Sequence, residues 1–391
     1  MRFRVGATVG VEYNDNINYA EVNEEDDFII TPNLTLDMIW PVTQLNTLRF
    51  DLGIGYSFYL DHSDANTDSV LIAPKSQLAF DIFVGDFRIN LHDRFQLQQD
   101  PIQVGALSNV SDYGRFENTA GLSALWDLNK VLLQVGYDHY NYIATNDDFD
   151  YINHSSEIVY GSGAFIVNPT ITVGAEGNAV FTRYDNNDNF NGVLNNNEEY
   201  SVGGFVEIAL TSNLKVRAAG GYQWMDFDNN FVLFPVPTIF GLLVLPTPDH
   251  AHLEDYYVNG LIAHRINAQL SQTLSAGHEN QLGIQSNYIT LNYVRHTLTW
   301  NLIRNVLLST EFFFEDAEES GGPLNATLFT VLSGQREGEH FQRIGGAITL
   351  GYQLTPHVTL GLRYQGTSKD SNVYLRDYNQ NRISLDGTYS F

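Results

Sequence analysis

The stretch from Thr47 to Asp61 reads TLRFDLGIGYSFYLD. Leu48, Phe50, Leu52, Ile54, Tyr56, Phe58 and Leu60 fall on one parity; Arg49, Asp51, Gly53, Gly55, Ser57 and Tyr59 fall on the other. Successive side chains of an extended chain point to opposite faces, so this segment has one apolar and one mostly polar face. Strands of soluble sheets usually run for about five or six residues. The alternation here is longer, and matches the roughly nine to eleven tilted residues with which a strand crosses a bilayer.

The pattern recurs along the chain. Phe3, Val5, Ala7, Val9 and Val11 oppose Arg4, Gly6, Thr8 and Glu12. Phe87, Ile89, Leu91, Phe95 and Leu97 oppose Arg88, Asn90, His92, Arg94 and Gln96. Val358, Leu360, Leu362 and Tyr364 oppose Thr359, Gly361, Arg363 and Gln365. About eighteen such segments can be counted, an even number, as a closed antiparallel barrel requires. Short turns lie near Pro41–Asn46, Val84–Asp86, Asp127–Lys130, Val167–Pro169, Thr211–Asn213, Arg265–Asn267, Ile303–Asn305 and Thr355–His357. Between them lie longer, acidic, Asn-rich connections over 14–27, 61–69, 99–115, 143–153, 185–198, 226–252, 279–287, 315–338 and 367–376. Short and long alternate without exception. The expected fold is all-β, one domain over residues 1–391. It is a transmembrane antiparallel up-and-down β-barrel of about eighteen strands, with short periplasmic turns and long extracellular loops.

Composition agrees. The chain of 391 residues has 22 Tyr, 24 Phe and 32 Gly, but only 20 Lys and Arg together, which is a strand-forming mixture. A net charge of -26 argues against nucleic acid, which needs basic stripes. With no cysteine there is neither a disulfide framework nor thiolate chemistry. No apolar run of about eighteen residues is present, so no membrane-spanning helix is expected. Met1-Arg2-Phe3 leads straight into a strand pattern, so any leader is expected to have been removed. Trp40, Trp126 and Trp300 stand beside short turns and Trp224 at the long-loop end of its strand, all on the apolar parity. These are the positions of two interfacial aromatic girdles.

The last strand, about 380–391, places Leu385, Gly387, Tyr389 and Phe391 on one parity and Asp386, Thr388 and Ser390 on the other. At this point the chain resembles the Gram-negative outer-membrane porins, and among them the poorly characterised ones rather than the trimeric general porins. The resemblance implies an integral outer-membrane location among lipid and lipopolysaccharide. It also implies that Leu385, Tyr389 and Phe391 form the C-terminal signal read by the outer-membrane assembly machinery. The architectural likeness covers the whole chain, and the signal covers one strand.

A barrel of roughly eighteen strands is wide enough for water. Arg49, Lys75, Arg88, His92 and Arg94 are expected as a basic wall of the lumen, facing an acidic wall of Glu117, Asp138, Glu157, Glu176 and Glu207. Two opposed walls make a transverse field that orients dipolar solutes. Cross-strand ion pairs that only stiffen the wall are the alternative.

Three loops draw notice. Residues 231–248, FVLFPVPTIFGLLVLPTP, are too apolar for a free external loop; packing at the mouth, or contact with a second subunit or a partner, is expected of 226–252. The 99–115 loop is a candidate constriction. The stretch NDNFNGVLNNNE has calcium-loop spacing, with Asn187, Asn189, Asn191 and Glu198 as ligands; one formal charge implies weak Ca²⁺ binding. Solvated acidic loops are the plainer reading, and no other cofactor is implied. The eleven His residues occur in no HExxH or Gly-x-Ser-x-Gly setting, so no catalysis is expected.

The function read from the sequence is passive diffusion of small hydrophilic solutes. A polysaccharide exporter or sugar-selective channel is one rival, and an adhesive or structural barrel docking a partner through 231–248 is another.

Overall fold

The computed structural model describes residues 1–67, 69–185, 196–238, 241–321 and 338–391, with the side chains of 232–248 outside that description. Eighteen long strands follow in chain order. They are β1 (Arg2–Asn14), β2 (Asp27–Pro41), β3 (Thr47–Gly55, resumed at Phe58–Tyr59), β4 (Gln77–Val84, preceded by the piece Leu71–Ile72), β5 (Phe87–Gln98) and β6 (Arg115–Asp127). β7 (Val131–Ala144), β8 (His154–Asn168), β9 (Ile171–Tyr184), β10 (Asn197–Thr211), β11 (Leu214–Phe227) and β12 (His252–Arg265) continue. β13 (Leu270–Leu282), β14 (Tyr288–Ile303), β15 (Val306–Glu319), β16 (His340–Gln353), β17 (Val358–Ser371) and β18 (Tyr378–Ser390) complete the wall. Each pairs antiparallel with its chain neighbour, and β18 returns to β1 with Leu385 opposite Val11 and Tyr389 opposite Ala7. Closure leaves no unpaired strand edge, which is what permits a sheet to stand in lipid.

The barrel is inverted relative to a soluble domain. Outward apolar residues are open, as with Val9 at 56% and Leu385 at 58% exposure, while inward Arg343 and Lys369 are at 4% and 2%. Strand parity decides which is which. The short turns are made by residues suited to them: Gly85 takes φ +57 between β4 and β5. The Asn168 and Asn267 side chains accept two following backbone N–H groups each.

Two expected long loops are short. β13 runs to Leu282 and β17 to Ser371, so the connections are 283–287 and 372–377, of the size of the turn at 42–46. Polar residues carry these strands past their apolar zone: Thr290 bonds Asn280 at 2.6 Å, and Lys369 holds Glu339 at 2.9 Å. The alternation of short and long connections therefore has two exceptions. The 226–252 connection is also more ordered than its prolines suggest. Phe231–Thr238 and Gly241–Pro248 pair as a hairpin apart from the barrel. Both strands of such a hairpin are edges, where proline is tolerated.

Candidate functional site: a loop held across the lumen

The connection 99–114, between β5 and β6, turns inward. Pro101–Gln103 form one turn of 3-10 helix, and the Asp100 side chain caps it by accepting from the Ile102 N–H. Proline in the first turn loses no hydrogen bond and fixes φ for the turn. Beyond it the chain crosses the barrel. Ala106 packs with Ile289 and Leu291 of β14, Ala317 of β15 and Phe341 of β16. Its neighbour Leu107, 2% exposed, packs with Tyr113, Phe149, Ile152, Ala144 at the end of β7 and Tyr184 at the end of β9. Adjacent residues of one loop thus touch opposite walls. Burying Leu107 contributes about 2 kcal/mol to that arrangement.

Four cations hold the loop on the β16–β18 side. Arg382 of β18 donates to Asp100 at 2.5 Å, and Tyr19 donates to the same carboxylate at 2.5 Å. Arg343 of β16 donates to the Ile102 carbonyl at 2.8 Å while bonding Glu315 at 2.6 Å. Lys369 of β17 donates to the Ser108 hydroxyl at 3.1 Å. Arg376, in the loop 372–377, donates to the Ala106 carbonyl, and with Lys369 it neutralises Glu339, which is fully buried. Burial pushes the Asp100 carboxyl up, but the Arg382 guanidinium, the Tyr19 hydroxyl and the Ile102 amide outweigh it and hold it down at about 2.

The expected acidic residues are all in ion pairs, whereas of the five expected basic ones only Arg88 and His92 are. Arg88 bonds Asp81 at 3.1 Å, and the His92 ring lies 3.1 Å from the Asp138 carboxylate. That contact exists because residue 121 between them is Gly: a Cβ there would fall 2.0 Å from the Asp138 carboxylate. Arg115 bonds Glu117 at 3.2 Å, which also accepts from Tyr140. Arg217 of β11 bonds Glu176 at 2.5 Å and Glu207 at 3.4 Å. Arg49 and Arg94 face the lumen outside these pairs. Lys75 is exposed in a bulge at 73–76, where Ala73 N–H bonds the Gly53 carbonyl, rather than on a strand.

Glu157 is a correction: it faces outward. It lies opposite His139 on β7, two residues from Val159 and beside Tyr137, both exposed on the outer face, and it bonds His139 at 3.0 Å. Glu198 also faces outward, accepting from Tyr200 at 2.9 Å with Arg183 at 3.9 Å. Asn187, Asn189 and Asn191 lie outside the described residues. Trp40, Trp126 and Trp300 stand near the turn ends of β2, β6 and β14, and Trp224 near the loop end of β11. Trp126 stacks on Phe87 at 5.2 Å, and Trp224 meets Tyr222 edge-on at 4.9 Å. Tyr389 and Phe391 meet edge-on at 4.8 Å beside the closure seam.

Among the described residues the lumen keeps several cavities. One of 890 Å³ lies between the loop and β6–β9, lined by Arg115, Glu117, Tyr140, Tyr142, His154, Glu279, Arg295 and Glu315 among others. One of 390 Å³ includes Glu12, Tyr59, Asp100, Arg382 and Asp386. One of 470 Å³ includes Glu176, Asn178, Glu199, Ser201, Arg217, Tyr257 and Glu279. Of the residues that matter here, the sequence reading passed over Lys369, Arg376, Asp100, Glu199 and Glu279. Continuing the inward parity of Arg363 to residue 369 would have reached Lys369.

A family model described as "Putative beta-barrel porin 2" matches residues 3–232. No curated protein matches the chain. Among solved structures, the chain is similar to Pseudomonas aeruginosa OccK2 (OpdF), solved with glucuronate, at a TM-score of 0.50 and 10% identity, covering 100% of this chain and 98% of that one. It is also similar to P. aeruginosa OccK5 (OpdH), at a TM-score of 0.49 and 9% identity, covering 100% and 98%. For Acinetobacter baumannii OccAB3 the TM-score is 0.46 and the identity 11%, covering 100% and 99%. At these identities the likeness is one of fold.

Proposed function

The chain belongs to the putative beta-barrel porin 2 family, and from that premise we propose that it is an outer-membrane diffusion channel constricted by its 99–114 loop. It is an integral outer-membrane β-barrel that passes small solutes. The observation that carries the constriction is the placement of Ala106 and Leu107 against opposite walls, with the four cations holding the loop there. A solute must pass beside the loop, through cavities whose walls are polar and charged. Such walls suit hydrophilic molecules, which exchange water for side-chain contacts, and penalise apolar ones. The reading requires no cofactor and no chemical step.

Export of an acidic polymer would call for a continuous basic lumen, whereas most inward cations here are tied to carboxylates or to the loop. In this reading the tryptophans anchor the barrel at the two interfaces. Leu385, Tyr389 and Phe391 present the apolar face of the closing strand to lipid and to the assembly machinery. The test is conductance of the purified protein in planar bilayers. Stable open-channel steps are expected, and their absence in folded protein would overturn the proposal.

A further inference from the structure

Resting on that reading, we infer that the channel prefers cationic and neutral solutes over anionic ones, and that Glu199 and Glu279 set the preference. The reason is where the cations are spent. Arg343, Lys369, Arg376 and Arg382 are used to hold the loop, each bonded to a loop atom and a carboxylate or to several loop groups. A cation already bonded on two sides has little attraction left for a passing anion.

The charge balance of each cavity follows. In the 470 Å³ cavity three carboxylates, Glu176, Glu199 and Glu279, face one cation, Arg217, which is bonded to Glu176 and Glu207. In the 390 Å³ cavity Glu12, Asp100 and Asp386 face Arg382 alone, which is bonded to the first two. In the 890 Å³ cavity Glu117, Glu279 and Glu315 face Arg115 and Arg295, bonded to Glu117 and Glu315. Carboxylates exceed cations in all three. Among the described residues, Glu199 and Glu279 are in no salt bridge, and Glu279 lines two of the cavities.

The cations without a salt bridge among the described residues lie mainly elsewhere. Arg4, Arg49, Lys130, Lys215, Arg265 and Arg304 sit at the short-turn end of the barrel, while Arg94 faces the lumen from β5. A solute entering from the loop side meets negative charge before it meets them. Low-dielectric walls focus such a field and raise the local concentration of counter-ions.

Reversal potential under a KCl gradient, taken at about pH 8.5 so that the Glu199 and Glu279 carboxyls are both ionised, reads the preference directly. A potassium-to-chloride permeability ratio of about three or more is expected for the native protein. The double variant E199Q/E279Q should bring the ratio toward one, and the single variants should fall between. A native ratio at or below one, or a ratio that does not move in the double variant, would overturn the inference. Liposome swelling separates this from the parent reading. Lysine should enter faster than glycine, and glycine faster than glutamate. Equal entry of all three overturns the preference and leaves a diffusion channel. Entry of none, with no conductance, removes the channel reading and the inference together.

Discussion

The two sides of the lumen use charge in different ways. On the β16–β18 side, Arg343, Lys369 and Arg382 are largely buried and bonded to the 99–114 loop, so charge there acts as a fastening. On the β9–β13 side, Glu199 and Glu279 line open cavity and are in no salt bridge among the described residues. Charged residues on the inward parity hold structure where a loop covers them and meet solute where none does. Coverage, not strand parity, separates the two roles.

The largest effect should come from the fastened side. Lys369→Met leaves Glu339, fully buried, with Arg376 as its remaining cation. Removing one partner of a buried charge pair should cost roughly 3 kcal/mol. Denaturant unfolding followed by tryptophan fluorescence should show a lower midpoint; an unchanged midpoint would mean that the fastening carries no load.

Leu107→Ala comes next. It empties the contact with Tyr113, Phe149 and Tyr184 and should cost about 2–3 kcal/mol locally. Because that energy holds the loop across the lumen, single-channel conductance should rise while the barrel stays folded. Equal conductance would place the constriction elsewhere.

Acid should loosen the same fastening. Asp100 is held at about 2 against an ordinary 3.8, so its contribution is complete above 3.8 and is lost as pH falls through about 2. A further change in conductance should set in as pH falls below 3.8, and Asp100→Asn should show that changed state at neutral pH. A native channel indifferent to this window would uncouple Asp100 from the constriction.

The smallest effect is expected at Glu157. Its carboxylate faces outward, beside Tyr137 and His139. Glu157→Gln should therefore leave the permeability ratio where it is, in contrast to Glu279→Gln. A shift as large as that of Glu279→Gln would show that the contrast between covered and open positions is the wrong one.

The sequence by itself determined the strands, the closed barrel and, for most strands, the face that looks outward. These are local properties: the direction of a side chain on a strand is fixed by its parity, and each strand pairs with its neighbour in the chain. Where parity was ambiguous the reading slipped. In β8 both Val159 and Ile158, and both Phe165 and Ile166, are apolar, so nothing local told Glu157 which way to face; pairing with β7 decided it. What only the tertiary structure decided is which charges are spent. Arg382 reaches Asp100 across 282 residues of chain, and Arg343 reaches Ile102 across 241. Such contacts depend on how a loop folds into a closed wall. Parity can point a cation into the lumen, but it cannot say whether the cation meets water or a loop when it arrives.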